Sequence, residues 1–269
     1  MRTLAALAAF ATLCAGADTL SPTAAVSLDD GYRQMYNLQF DNAHRTFLEW
    51  EKEHPSDPLG PVSDAAAYLF SEFDRLHILQ SEFFAEDENF AHKNKMAPDP
   101  QVERNFEAAL DRARRLSPSA SNDADVQFAT VLNYGLRSDY LALIEKKYLP
   151  ALSETKQARL AAERLLAAQP SYYDAYLAIG VENYLLSLKS APVRLLLRAG
   201  GAETDKKVGL DKLRLTAERG RYLAPFAKLL LAVAALRDKD PAHAREQLAW
   251  LASRYPGNHL FREELGKVK

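Results

Sequence analysis

The chain has 269 residues, enough for one extended domain or two compact ones with a substantial core. Its 48% hydrophobic and 26% charged residues are ordinary for a globular protein, and the scarcity of glycine beside abundant Ala and Leu leans it towards helix. A formal net charge of -2 argues against a generic nucleic-acid binder, which needs a basic face to displace phosphate counterions.

The first residues have the layout of a secretory signal. Arg2 supplies a positive start, Leu4 to Leu13 form a short apolar run, and Ala15-Gly16-Ala17 gives the small-x-small pattern that a signal peptidase accepts. The run is too short to span a bilayer comfortably, and Asp18 ends it. This predicts a signal peptide over 1–17, cleaved after Ala17, then a linker over 18–26; a retained anchor helix is the alternative. Leu13 directly before Cys14 fits a lipobox badly, so a lipoprotein is not expected. Cleavage would remove the single cysteine and Arg2, taking the formal charge from -2 to -3, and would suit a periplasmic or secreted protein.

Beyond the linker, periodicity and cap residues predict helices over 27–38, 41–54, 61–83, 99–117, 123–146, 149–168, 171–188, 191–199, 204–219, 222–238, 240–254 and 258–267, all within one domain, 27–269. Ser27, Asp41, Asn122 and Asp240 are the expected N-caps. The charged, proline-terminated stretch 83–100 reads as an inserted loop. No sustained alternation and no Asn-Gly or Asp-Gly turn marks a strand.

One spacing recurs along these helices. Ala43, Phe47, Trp50 and Pro55 stand at offsets 0, 4, 7 and 12, and so do Ala158, Ala162, Leu165 and Pro170, and Ala244, Leu248, Leu251 and Pro256. Phe106, Leu110, Ala113 and Pro118 repeat it with the first position enlarged. Offsets of 4 and 7 put three residues on one helical stripe, and the proline stops the helix just past it. Twelve residues before Ala43 and Ala244 stand Gly31 and Ala232, and Gly180 follows Pro170 by ten; a small residue there lets two antiparallel helices approach closely, with the offset-0 Ala of the second helix expected to pack into the gap.

This pattern resembles the tetratricopeptide repeat (TPR) family, with a Sel1-like variant near 206–236. The resemblance covers the first and last units well and two middle units in part, and ungapped repetition fails between Pro55 and Phe106. It implies an all-α fold: a right-handed α-solenoid of TPR-like antiparallel helix pairs.

Chemistry is harder to find. Glu72, Asp74 and His77 lie on consecutive helical turns, with Glu82, Glu86, Asp87, Glu88 and His92 nearby. Carboxylate and imidazole at that spacing could hold a divalent metal, but no second Glu-x-x-His stands opposite, and a charged face with helix-stabilising pairs is the plainer reading. His44, His54, His243 and His259 read as solvated surface residues. The chain contains no Gly-rich phosphate loop, His-Glu-x-x-His, Gly-x-Ser-x-Gly or CxxC, so no catalytic residue, metal ligand or cofactor is assigned. The apolar helix 191–199, with Arg194 and Arg198, could lie on a membrane surface; packing against the solenoid is favoured.

TPR solenoids hold protein or peptide partners on the concave surface built from their first helices. Transferring that register gives Tyr32, Met35, Tyr36, Asn133, Tyr134, Leu177, Val181, Asn183, Tyr184, Phe226, Leu229 and Arg237 as groove residues. The Asn-Tyr pair at 133–134 and 183–184 joins an amide that can clamp a peptide backbone to an aromatic anchor. The expected function is therefore a non-catalytic scaffold binding a protein or peptide, with a metal-dependent protein using Glu72–His92, or a membrane-associated adaptor, as alternatives.

Overall fold

A computed structural model describes residues 26–78 and 96–268. The described residues form twelve α-helices and no strand: α1 (Leu28–Tyr36), α2 (Phe40–Glu53), α3 (Leu59–Arg75), α4 (Pro100–Arg115), α5 (Ala124–Asp139), α6 (Tyr148–Ala168), α7 (Tyr176–Ser187), α8 (Ala191–Ala199), α9 (Lys206–Arg219), α10 (Ala224–Arg237), α11 (Pro241–Arg254) and α12 (His259–Lys267). A single π-helical turn, Tyr140–Ile144, continues α5, and a 3-10 turn, Tyr173–Ala175, precedes α7. The signal-peptide expectation and most of the 83–100 loop lie outside the described residues. Among the described residues, no helix is long and apolar enough to cross a membrane.

Local chemistry accounts for most helix ends. Ser27 accepts a hydrogen bond from the Asp29 amide and Asp240 from that of His243, as expected. Two expected caps fall elsewhere. Asp123, not Asn122, caps α5, and α2 begins at Phe40 with Asp41 inside its first turn, where a negative charge favours the helix dipole. Pro150 sits within the first turn of α6, where it removes no intrahelical bond.

The recurrent stripe is the core. Every one of its offset 0, 4 and 7 residues is buried except the half-buried Trp50, and each proline lies just past the last residue of its helix. The helices pack in adjacent pairs, α1 with α2, α3 with α4, α5 with α6, α7 with α9, and α10 with α11, and α12 covers α11. The pairing contact is shifted from the expected one. A Cβ on Gly31 would enter the Phe47 ring, so the offset-4 residue fills the space beside the glycine, not the offset-0 Ala43. Gly180 repeats this: an added Cβ would meet the Leu213 side chain at 2.9 Å. Its partner helix approaches closest at Gly209, where an added Cβ would stand 2.5 Å from the Tyr184 backbone nitrogen. Backbone cannot turn aside as a side chain can. Gly209→Ala is expected to lower unfolding free energy by about 2–3 kcal/mol through forced separation of α7 and α9, read as a shifted urea midpoint; an unchanged midpoint would contradict this packing.

The row of pairs curls back on itself. The Tyr36 hydroxyl donates to the Tyr222 carbonyl (3.1 Å), the Asn258 amide to the Tyr36 carbonyl (3.0 Å), and the Gly257 amide to the Asn37 side-chain oxygen (2.9 Å). Tyr32 stacks on Tyr222 with ring centroids 4.8 Å apart. The joint is thus a buried aromatic contact in which the Tyr32 and Tyr36 hydroxyls are hydrogen-bonded. An exposed ion pair, Arg221 to Asp29, adds little by itself.

One helix departs from expectation. No residue of α8 is buried, and Leu195 and Leu196 are 72% and 74% exposed, so it does not pack against the neighbouring pairs. It is tethered at its C-terminal end, where the Lys156 ammonium donates to the Gly200 carbonyl, the Arg159 guanidinium to the Gly201 carbonyl, and the Arg198 guanidinium to the Thr204 hydroxyl.

Candidate functional site

Closing the row encloses the faces of the first helices. Tyr32, Met35, Tyr36, Leu177, Val181 and Phe226, which are six of the expected groove residues, line one partly enclosed cavity of about 80 Å³. They come from α1, α7 and α10; α3 adds Ala66 and Phe70, α5 adds the face running from Val131 to Asp139, and α6, a second helix, adds Thr155 and Ala158. A space of that size holds on the order of five waters or one short aliphatic chain.

The remaining expected residues lie elsewhere. Asn133 and Tyr134 occupy another face of α5, beside a broad depression of about 560 Å³ shared with Arg114, Gln127 and Arg164. The Asn133 amide is already used, donating to the Leu110 carbonyl at 2.8 Å. Asn183 is buried and structural: its side-chain oxygen accepts from the Asp205 amide that opens α9, and its amide donates to the Ile179 carbonyl. Tyr184 is buried with Leu213, Leu230 and Ala234, and Leu229 is a core residue. Arg237 sits half-buried in the last turn of α10. The two Asn-Tyr pairs therefore share no site.

Two residues of the cavity wall were not singled out by the sequence. Asp139 ends α5 where the π-helical turn begins, and its side chain faces the cavity without a hydrogen bond or ion pair to any described residue. Burial pushes its carboxyl up to about 7, with no nearby charge opposing it. The wider turn after it, closed by the Glu145 amide donating to the Tyr140 carbonyl (3.2 Å), is the kind of local irregularity that often accompanies functional positions. Gly135, one turn earlier, is the other. A Cβ built there meets nothing within 4 Å, so this glycine loosens a helix interior by about 1 kcal/mol relative to alanine without any close approach to explain it.

The wall carries a second carboxyl, but it is spoken for. Asp174 accepts backbone hydrogen bonds from Arg221 (2.8 Å), Tyr222 (3.1 Å) and Leu223 (2.8 Å), fixing the turn that brings Tyr222 onto Tyr32 and Phe226 to the cavity. Burial pushes the Asp174 carboxyl up while the three amides pull against it. No Lys, Arg or His among the described residues lines the cavity. The Tyr32 and Tyr36 hydroxyls are held protonated by burial.

Of the described residues named for the metal alternative, Glu72 is in structural use. Glu72 is buried, pairs with Arg75 and accepts from the Asp99 amide, which ties the two ends of the 79–95 stretch together. Asp74 and His77 follow at the end of α3, and Glu82 to His92 lie outside the described residues. Of the four surface histidines, His44 differs: it is half-buried, 2.6 Å from the Asp64 carboxylate and against the Tyr68 ring. Compared with known proteins, the chain matches no family model, no curated protein and no solved structure.

Proposed function

We propose that this chain is a non-catalytic, TPR-like helical-repeat module, exported to the cell envelope or beyond, that binds a protein or peptide partner. The observation that carries this reading is that α1, α3, α5, α7 and α10, the first helix of each pair, all meet at one mainly apolar cavity containing six of the groove residues, with Thr155 and Ala158 of α6 completing its wall. In a TPR-like solenoid those helices form the concave binding surface; here that surface is curled until it admits a side chain and its stem, not a whole helix. Affinity would come from burying an apolar anchor among Tyr32, Tyr36, Phe70 and Phe226.

A peptide-display selection on the chain from Asp18, run beside Gly135→Leu, tests this. The variant puts an isobutyl group into the cavity from a position that nothing crowds, so its helicity should be unchanged. Peptides enriched by the parent and bound at least tenfold more weakly by the variant are expected. Enrichment that the variant retains would move the binding surface elsewhere, for which the depression beside Asn133 and Tyr134 is the next place to look.

A further inference from the structure

The cavity has a sign as well as a shape. Its polar groups are two carboxyls and the Ser138 and Thr155 hydroxyls, which already bond the Ala151 carbonyl and each other; its other walls are mainly aliphatic and aromatic, it has no cation, and one carboxyl, Asp139, has no partner among the described residues. Asp174 is committed to three backbone amides, so Asp139 is the group left to meet an occupant. Anions are disfavoured there, because an entering negative charge would find like charge and no donor strong enough to offset its desolvation. A neutral alkane would leave the carboxyl unsatisfied.

We propose that the cavity holds a primary ammonium on an unbranched aliphatic stem, with the Asp139 carboxylate as counter-ion. The stem lies along the Met35, Leu136 and Val181 surfaces, and Tyr36 and Phe226, aromatic residues of a type whose ring faces attract a cation, also line the cavity. A lysine side chain has this chemistry, with four methylenes and an ammonium; so does a free alkylamine. Gly135 fits the same account, since any side chain there would occupy the space the stem needs. The proposal rests on the cavity being the binding site, and it names what that site selects. The ion pair would form in a poorly solvated place, where a matched pair is retained and an unmatched charge is expelled.

The test is a chemical-shift titration of the isotope-labelled chain with four probes: butylammonium chloride, 1-butanol, N-acetyl-lysine methylamide and N-acetyl-norleucine methylamide. Butylammonium should bind at least tenfold more tightly than butanol, and the lysine derivative at least tenfold more tightly than the norleucine one. Asp139→Asn, which keeps the shape of the site, should abolish both differences, and Gly135→Leu should abolish the shifts themselves. Tighter binding of the lysine derivative than of butylammonium assigns the site to a peptide side chain; the reverse assigns it to a free amine. Equal binding of charged and neutral probes to the parent would overturn the ammonium assignment while leaving the cavity as the binding site. Shifts that survive Gly135→Leu would overturn both.

Discussion

Asp174→Ala is expected to lower the unfolding free energy by about 3–5 kcal/mol, the largest loss among the single changes considered. The carboxylate takes hydrogen bonds from three consecutive backbone amides, Arg221 to Leu223, and Tyr222 and Leu223 are themselves buried. Alanine leaves those donors without a partner where water does not readily replace it, and each buried unsatisfied group costs about 1–3 kcal/mol. The individual costs do not add fully, because the turn relaxes as a unit. Asp174→Asn keeps one oxygen for Tyr222 and Leu223 and should lose about half as much. The damage should also reach the cavity, because the same turn seats Tyr222 against Tyr32 and leads into Phe226. Urea denaturation of the two variants gives the stability, and accelerated amide exchange at 221–226 gives the location. A loss under 1 kcal/mol in the alanine variant would mean the turn holds by packing alone.

Asp139→Asn is expected to act in the opposite direction, and only above about pH 4. In the unfolded chain this carboxyl ionises near 3.9; in the folded chain burial raises it to about 7. Between those values the folded state holds a proton that the unfolded state has released, so unfolding free energy falls as pH rises, by about 1.4 kcal/mol per unit. Below the lower value both states are protonated and the effect vanishes; above pH 7 both are ionised and it is constant. The accumulated cost at pH 8 is on the order of 4 kcal/mol, and the asparagine variant removes it. The other ionisable groups on the cavity wall are Asp174, Tyr32 and Tyr36, of which the tyrosines stay protonated throughout this range. The parent and Asp139→Asn should therefore have matching stability near pH 4 and diverge steadily to pH 7. Parallel stability curves across that range would show that Asp139 is solvated or paired in the folded protein. A strained, uncompensated carboxyl that lowers stability at neutral pH is also the usual cost of a site kept ready for a ligand.

Together the two aspartates show how differently the same residue type acts in one cavity. Neither is marked in the sequence by a motif. Asp174 follows Tyr173 in a stretch that reads as the start of a helix, and its amide partners lie 47 to 49 residues further on. Asp139 stands in what reads as a continuous helix over 123–146, and the π-helical turn that follows it leaves no trace in hydrophobic periodicity. Gly135 alone carried a signal: a glycine inside a helix with no turn or crossing nearby.

What the sequence by itself determined was local and periodic. Twelve helices, the small residues at which they approach and their prolines could be read because a stripe at offsets of 4 and 7 must be buried and a proline must end the helix behind it, whereas the side chain that meets each small residue could not. The tertiary structure alone decided what those helices enclose. The closing contacts join residues 186 to 222 positions apart, Tyr36 to Tyr222 and Asn258, and Asn37 to Gly257. Contacts at such separations depend on how all the intervening helices pack, and no local residue pattern encodes them. The same closure turned Tyr32, Tyr36 and Phe226 into the walls of one cavity, while the close α7–α9 crossing at Gly209 committed Asn183 and Tyr184 to packing.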